Sequence, residues 1–275
     1  MSKIGKQLIV TNLIFKPEKE TIMKKYLNRF LIATTLLATL SMQSCYFDFA
    51  DGDGGGNQNF SRCEEGFGGT ITEELFLDEI SGIRLRTDAQ VYLSRGDKQE
   101  VLVKGQDNII RELSTSVRND VWEIEFDDCI ENSDVLRIFI TTPNMDFIAN
   151  SGSGNIRSDD ILKTDLMEVN NNGSGDIKLS LEADQINGRN SGSGTMELEG
   201  VTTTLDFEVD GSGALEAFDL LVRDAQINID GSGNVQVNVS DFLGISINGS
   251  GDVYYKGNPD MKVATNGSGK VFNAN

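Results

Sequence analysis

The side chains available for chemistry in this sequence are mostly carboxylates. Asp and Glu number 43 against 24 Lys and Arg, there are three Cys, and there is no His in 275 residues. The absence of His excludes Ser-His-Asp triads, histidine general bases and most zinc sites. Two chemistries remain open to carboxylates. They could hold Ca²⁺, which takes six or more oxygen ligands, or they could join basic side chains in acting on a polysaccharide. A triplet repeated along the second half of the chain lets both ideas be checked by column.

Gly-Ser-Gly begins at Gly152, Gly173, Gly192, Gly211, Gly231, Gly249 and Gly267, and closes at Gly154, Gly175, Gly194, Gly213, Gly233, Gly251 and Gly269. The residue after each triplet is Asn155, Asp176, Thr195, Ala214, Asn234, Asp252 and Lys270. Two acidic residues in a column that also holds Thr, Ala and Lys do not make a repeated calcium site. Two positions further on stand Arg157, Lys178, Glu197, Glu216, Gln236, Tyr254 and Phe272, which change type from copy to copy. That irregularity speaks against an acidic and basic cluster, so no catalytic residue, cofactor or metal ligand is expected. Carboxylates converging with a basic partner on one face would favour an enzyme more.

The elements that carry these columns follow from the spacing. Intervals between triplets are 21, 19, 19, 20, 18 and 18 residues, the mark of a repeat architecture. The second residue after each triplet is Ile156, Ile177, Met196, Leu215, Val235, Val253 and Val271, apolar throughout. Two residues beyond lie Ser158, Leu179, Leu198, Ala217, Val237, Tyr255 and Asn273. Four before the triplet stand Ile148, Val169, Gly188, Phe207, Ile227, Ile245 and Val263. Alternation of period two on both sides of the triplet predicts a strand, a sharp corner and a second strand, joined to the next copy by a longer irregular connection.

Stacked coils lie about 4.8 Å apart, so bulk at a corner meets its equivalents above and below. Gly is expected to supply positive φ there and Ser to hydrogen-bond along the stack. Asn150, Asn171 and Asn190 share one register just before the corner, and Asp210, Asp230, Asn248 and Asn266 share the next. Inward Asn residues would form an amide ladder along the axis. The Asn-Gly-Ser sequons at Asn172, Asn248 and Asn266 are by-products of the corner motif. Tyr254, Tyr255 and Phe272 are expected to cap the last coils, the alternative being a contact patch.

Upstream of the repeats, Ile83–Arg86, Ala89–Leu93, Val101–Val103, Trp122–Phe126 and Leu136–Ile140 alternate as strands, with turns at Gly96-Asp97 and Arg118-Asn119-Asp120. The expected fold is all-β: a parallel β-helix of about seven Gly-Ser-Gly coils. Residues 66–275 form one unit, in which 66–150 make a strand-rich cap with the first coils and 150–275 the repeats.

The beginning of the chain points to export. From Met23, a basic stretch precedes an apolar run over Phe30–Leu40 and then Ser41-Met42-Gln43-Ser44-Cys45. That is the plan of a secretory signal, with an apolar run too short to span a bilayer. Cys45 after Ser44 resembles the lipobox of bacterial lipoproteins in the relaxed form seen in Bacteroidetes, which makes Cys45 the expected lipidation site and 23–45 the leader. Residues 1–22 read as an upstream extension, with Met23 as the start, and 46–65 as a Gly/Asp/Asn tether. Cys63 and Cys129 are then an even pair in an oxidising compartment, open to a disulfide or to two free thiols.

Residues up to Cys45 hold 7 of the basic and 2 of the acidic side chains, so the remainder carries a formal charge of −24, against −19 for the whole chain. Such a surface repels nucleic acid and anionic lipid, and contact with membrane is expected only through the lipid.

The Gly-Ser-Gly-x-apolar corners, the strand block ending at Leu136–Pro143 and the lipoprotein-like leader together resemble the family of putative auto-transporter adhesins with a head GIN domain (DUF2807), from about Gly66 to Asn275. The resemblance implies a right-handed parallel β-helix exported to the cell envelope as an outer-membrane lipoprotein, and it brings no catalytic or ligand residues with it. The resulting expectation is an adhesin-like scaffold that presents a surface to a protein or glycan. The alternatives are a polysaccharide-active β-helix enzyme and a self-associating envelope protein, a homo-oligomer.

Overall fold

The computed structural model describes residues 63–275. The upstream extension, the leader with Cys45 and nearly all of the expected tether lie outside the described residues. The described strands are β1 (Glu64–Glu65), β2 (Thr70–Glu74), β3 (Gly82–Leu85), β4 (Gln90–Arg95), β5 (Glu100–Gln106), β6 (Val117–Arg118), β7 (Val121–Ile124), β8 (Ile130–Glu131), β9 (Arg137–Thr142) and β10 (Phe147–Asn150). A short helix, α1 (Asp107–Arg111), follows β5. Five long strands come next: β11 (Asn155–Asn171), β12 (Ile177–Asn190), β13 (Thr195–Val209), β14 (Ala214–Ile229) and β15 (Val235–Ile247). β16 (Val253–Lys256), β17 (Asp260–Thr265) and β18 (Val271–Asn273) complete the chain.

These strands wind into a parallel β-solenoid. On one side of the corners the stack runs β7, β3, β10, the ends of β11 to β15, and β17, all in parallel register. On the other side it runs β9, β4, the beginnings of β11 to β15, β16 and β18. The predicted apolar columns form the core: Ile156, Ile177, Met196, Leu215, Val235 and Val253 are at most 1% exposed. Gly188 interrupts the column that holds Ile148, Val169 and Phe207 for a packing reason. A Cβ there would stand 2.3 Å from the Phe207 ring, so the glycine makes room for the one aromatic that the seven repeats place in that column.

Four details differ from the expectations drawn from the sequence. The connections between coils are not irregular, because each long strand stays paired through the bend, with register shifts at Arg157/Ile161, Glu197/Gly200 and Ala217/Leu221. A bulge turns the chain while most backbone groups keep their partners. The corner glycines do not have positive φ; among the described glycines only Gly68, Gly200 and Gly257 do. Their constraint is space: a Cβ on Gly173, Gly192, Gly211, Gly231, Gly249 or Gly267 would stand 1.9–2.2 Å from a carbonyl oxygen of the coil before it.

The inward Asn residues likewise brace their own corners instead of each other. Asn150 Nδ2 donates to the Gly154 carbonyl (2.7 Å) and Asn171 Nδ2 to the Gly175 carbonyl (2.9 Å), while the Oδ1 atoms accept from Gly152 and Gly173 N–H. A side chain that satisfies both ends of a tight turn is the Asx arrangement. Finally, Tyr254 and Phe272 stack on the outer face (5.1 Å) and do not cap the core; Tyr255 alone takes the inward position.

At the N-terminal end the chain order and the spatial order part. The β3–β4 coil lies between the β7–β9 coil and the β10–β11 coil. After laying down β3 and β4, the chain leaves through β5, α1 and β6, returns as β7 to β9 on the outside, and then places β10 on the free side of β3. Antiparallel pairing of β5 with β9, β2 with β5 and β6 with β7 ends the parallel stack. The tight β6–β7 turn falls at Asn119 and Asp120, both with positive φ, where the sequence places it.

Candidate functional site

The corner ridge shows where a surface could act. Position by position, Leu85-Arg86-Thr87-Asp88-Ala89 is the counterpart of Asn150-Ser151-Gly152-Ser153-Gly154, since β3 pairs with β10 and β4 with β11 without a shift. This corner has Thr and Ala where every later coil has Gly. The difference lies in the neighbour. A Cβ on a corner residue points at the preceding coil: Gly152 meets the Thr87 carbonyl at 2.2 Å and Gly154 the Ala89 carbonyl at 2.1 Å. The coil next to Arg86–Ala89 is β7–β9, and its chain does not follow the corner. Residues 125–136 lie between β7 and β9 where the β3–β4 connection has only 86–89, so no matching corner stacks on Thr87, which is itself buried at 9% exposure.

The space left by that departure is a cleft of about 530 Å³, lined by Arg86, Thr87, Asp88, Glu125, Phe126, Ile130, Asn132 and Ser133. Its far wall is held in place. β8 pairs with β1, and Cys63 and Cys129 are joined by a disulfide with Cα atoms 4.6 Å apart. Cys63, Glu64 and Glu65, at the end of the expected tether, therefore belong to the fold. Arg86 is aimed by Glu123 (2.8 Å) and Glu125 (3.4 Å), and Asn132 adopts φ 54° at the rim. The cleft offers a guanidinium, two carboxylates, an amide and two hydroxyls beside one aromatic and one aliphatic side chain, the mixture that suits a hydroxyl-rich ligand.

Beyond the cleft, the ridge formed by the triplets is narrow and small. Each middle Ser is exposed, and Ser268 Oγ hydrogen-bonds Ser250 Oγ (3.2 Å). The column considered for calcium is engaged structurally. Asn155, Asp176, Asn234 and Asp252 each accept a hydrogen bond from the backbone N–H of the next coil's equivalent residue, at 2.7–2.9 Å. Where Thr195 and Ala214 stand, that bond is simply not made.

One cluster escaped the sequence reading. Glu208, Asp210 and Asp230 bring carboxylate oxygens within 4.8 Å of one another. Asp210 and Asp230 share the register just before the triplet, and Glu208 comes from the column two residues earlier, which also holds Arg189. Arg189, one coil earlier, bonds Glu208 (2.9 Å) and also contacts Asp210, while Asn248 donates to Asp230 (2.7 Å). Burial, with help from Asp210 and Asp230, raises the Glu208 carboxyl above its ordinary range even though Arg189 opposes the shift. Arg189 stands where a cation would, so the group reads first as an ion-pair network tying successive coils.

Comparison with known proteins follows the same lines. The profile of the family described as putative auto-transporter adhesin, head GIN domain, matches residues 80–259. The fold is similar to a crystal structure of a putative adhesin from Bacteroides fragilis (TM-score 0.73, 23% identity, 76% of this chain and 99% of that one). It is also similar to a putative lipid binding protein from Parabacteroides distasonis (0.65, 24%, 78% and 100%). A putative adhesin from Parabacteroides merdae is a further match (0.65, 18%, 77% and 99%). No curated protein matches the chain.

Proposed function

Because the chain belongs to the family of putative auto-transporter adhesins with a head GIN domain, we propose that it is a lipid-anchored cell-envelope protein whose β-helix presents a binding surface, and that this surface takes a glycan in the cleft beside Thr87. The observation carrying this reading is the break in the glycine ridge. The two glycine positions of each triplet are otherwise too tight for a Cβ, and at this one corner the stack opens onto a cluster of varied polar groups next to Phe126. A formal charge of −24 beyond Cys45 disfavours nucleic acid.

Binding is tested by titrating the mature protein with glycans of bacterial and host surfaces, alongside Asp88→Ala and Arg86→Gln. One glycan class should bind the wild type and bind each variant at least about tenfold more weakly, with melting unchanged. Failure of every glycan to bind, or equal affinity in all three proteins, contradicts the reading. Anchoring rests on the leader and Cys45. Cys45→Ala should shift the protein from the membrane fraction to the soluble fraction, and continued recovery with membranes would exclude Cys45 as the anchor.

The acidic cluster favours a second reading, a polysaccharide-active enzyme, because Glu208 keeps its proton more readily than a free carboxyl while two further carboxylates lie beside it. Arg189 already neutralises two of the three, which weighs against it. Release of reducing or unsaturated sugar ends from acidic polysaccharides, lost in Glu208→Gln, would establish this reading over the first.

A further inference from the structure

We propose that copies of this protein associate head to tail, the C-terminal coil of one docking on the N-terminal edge strand of the next. Among the described residues only two strands have every residue exposed, and they lie at opposite ends of the solenoid: β2 at the N-terminal end and β17 at the C-terminal end. Among the described residues β2 is bonded to β5 alone, and β18 to β16 alone, so each presents there one unpaired edge. Both belong to the same stack, which runs β2, β5, β9, β4, β11 to β16 and β18. Two antiparallel steps, β2 to β5 and β5 to β9, return β2 to the direction of β9 and hence of β18. The β18 edge of one copy can therefore pair in parallel with the β2 edge of another, as each coil pairs with the next.

Side chains at the two ends complement each other. On β18, Val271 continues the inward column and Phe272 the outward one. On β2, Ile71 and Glu73 lie on the inward side with Gly105 and Val103, while Thr72 lies outward with Lys104. Pairing sets Ile71, 39% exposed, near Val271, and brings the exposed Met261 and Val263 of the last coil against the cap.

Charge then selects the arrangement. Residues 64–79 carry Glu64, Glu65, Glu73, Glu74, Asp78 and Glu79 and no basic residue, whereas 256–275 carry Lys256, Lys262 and Lys270 against Asp260. Neither Lys262 nor Lys270, nor Glu73 nor Glu74, makes an ion pair among the described residues. Charges on an edge strand keep like ends apart, and here the same charges draw unlike ends together. A contact between two different surfaces that leaves the far ends free propagates into a row instead of closing as a dimer.

The test is cysteine cross-linking of the full-length protein in the envelope of the producing cell. The variants are Thr72→Cys, Phe272→Cys and the two combined. A ladder of dimers, trimers and longer species is expected in the combined variant, and dimers when the two single variants are co-expressed. Each single variant alone should stay monomeric. In the combined variant, Lys262→Glu with Lys270→Glu should remove at least about nine-tenths of the ladder, and adding Glu73→Lys with Glu74→Lys should restore it, which excludes a folding defect as the cause. Dimers of Phe272→Cys alone would mean a tail-to-tail contact, and absence of any ladder would mean a monomer or a different partner. Either result overturns the proposal.

Discussion

The corner at Arg86–Ala89 and the corners at the seven triplets share one backbone register but not one chemistry. In the repeats, each corner lies directly on the backbone of the coil before it, and the missing side chain is what permits contact. At Arg86–Ala89 the neighbouring chain departs through residues 125–136, so Thr87 and Ala89 are tolerated in place of glycine and a cleft appears. A corner glycine in this fold therefore records a neighbouring coil stacked directly on it. This is a statement about packing distance, since the corner glycines have ordinary φ.

The largest effect is expected inside the repeats. Gly213→Val places a Cβ 2.3 Å from the Gly194 carbonyl oxygen and 2.6 Å from Asn190 Nδ2. Backbone must move to relieve that overlap, and denaturant unfolding should show a loss of more than about 4 kcal/mol or no folded protein. A variant within error of the wild type would contradict the corner geometry.

In the cap, the Cys63–Cys129 disulfide closes a loop with a sequence separation of 66. Cys63→Ser with Cys129→Ser should cost about 2–4 kcal/mol. Hydrogen exchange should place the loss in β1, β8 and the 125–136 wall, leaving β12 to β14 protected. Uniform loss of protection along the coils would contradict the separation of the two regions.

Asn171→Ala comes next. It strips a donor from the Gly175 carbonyl and an acceptor from Gly173 N–H in a fully buried position, at about 1–3 kcal/mol. The equivalent positions Val209 and Ile229 are apolar and buried, so Asn171→Val should recover part of the loss through packing; an equal or larger loss for Val would argue that the hydrogen bonds alone matter.

Glu208→Gln is the smallest. The folded carboxyl has its pKa raised, so protonation favours the folded state and the charge opposes folding at neutral pH. The variant should melt slightly above the wild type at pH 7, and the gap should close as pH falls through the raised pKa. A gap that widens toward low pH would reverse the sign of the argument.

Much of this was legible in the sequence. Columns such as Ile156 to Val253 gave the solenoid, its register and its core because period two survives any change of residue within the apolar class. The turn at Asn119-Asp120 was legible for the same local reason. The role of the corner glycines was misread as positive φ, since a sequence shows that a side chain is missing but not which atom excludes it. The insertion of β3–β4 between later strands was hidden because pairing order is set by non-local contacts. Hence the cleft, which depends on residues 86–88 meeting 125–133, could not be seen. The acidic cluster was missed for a simpler reason: the register of Asp210 and Asp230 was legible, but the cluster appears only when the column of Arg189 and Glu208, three residues before the triplet, is set beside it.

Thr87 lines the cleft with no glycine corner stacked on it, so extra bulk should be admitted there. Equilibrium unfolding of Thr87→Leu should show a loss of no more than about 1.5 kcal/mol, covering the hydrogen bond from Ala89 N–H to Thr87 Oγ1. A loss as large as that of Gly213→Val would mean that this corner is as closely stacked as the others and that the cleft is not open in solution.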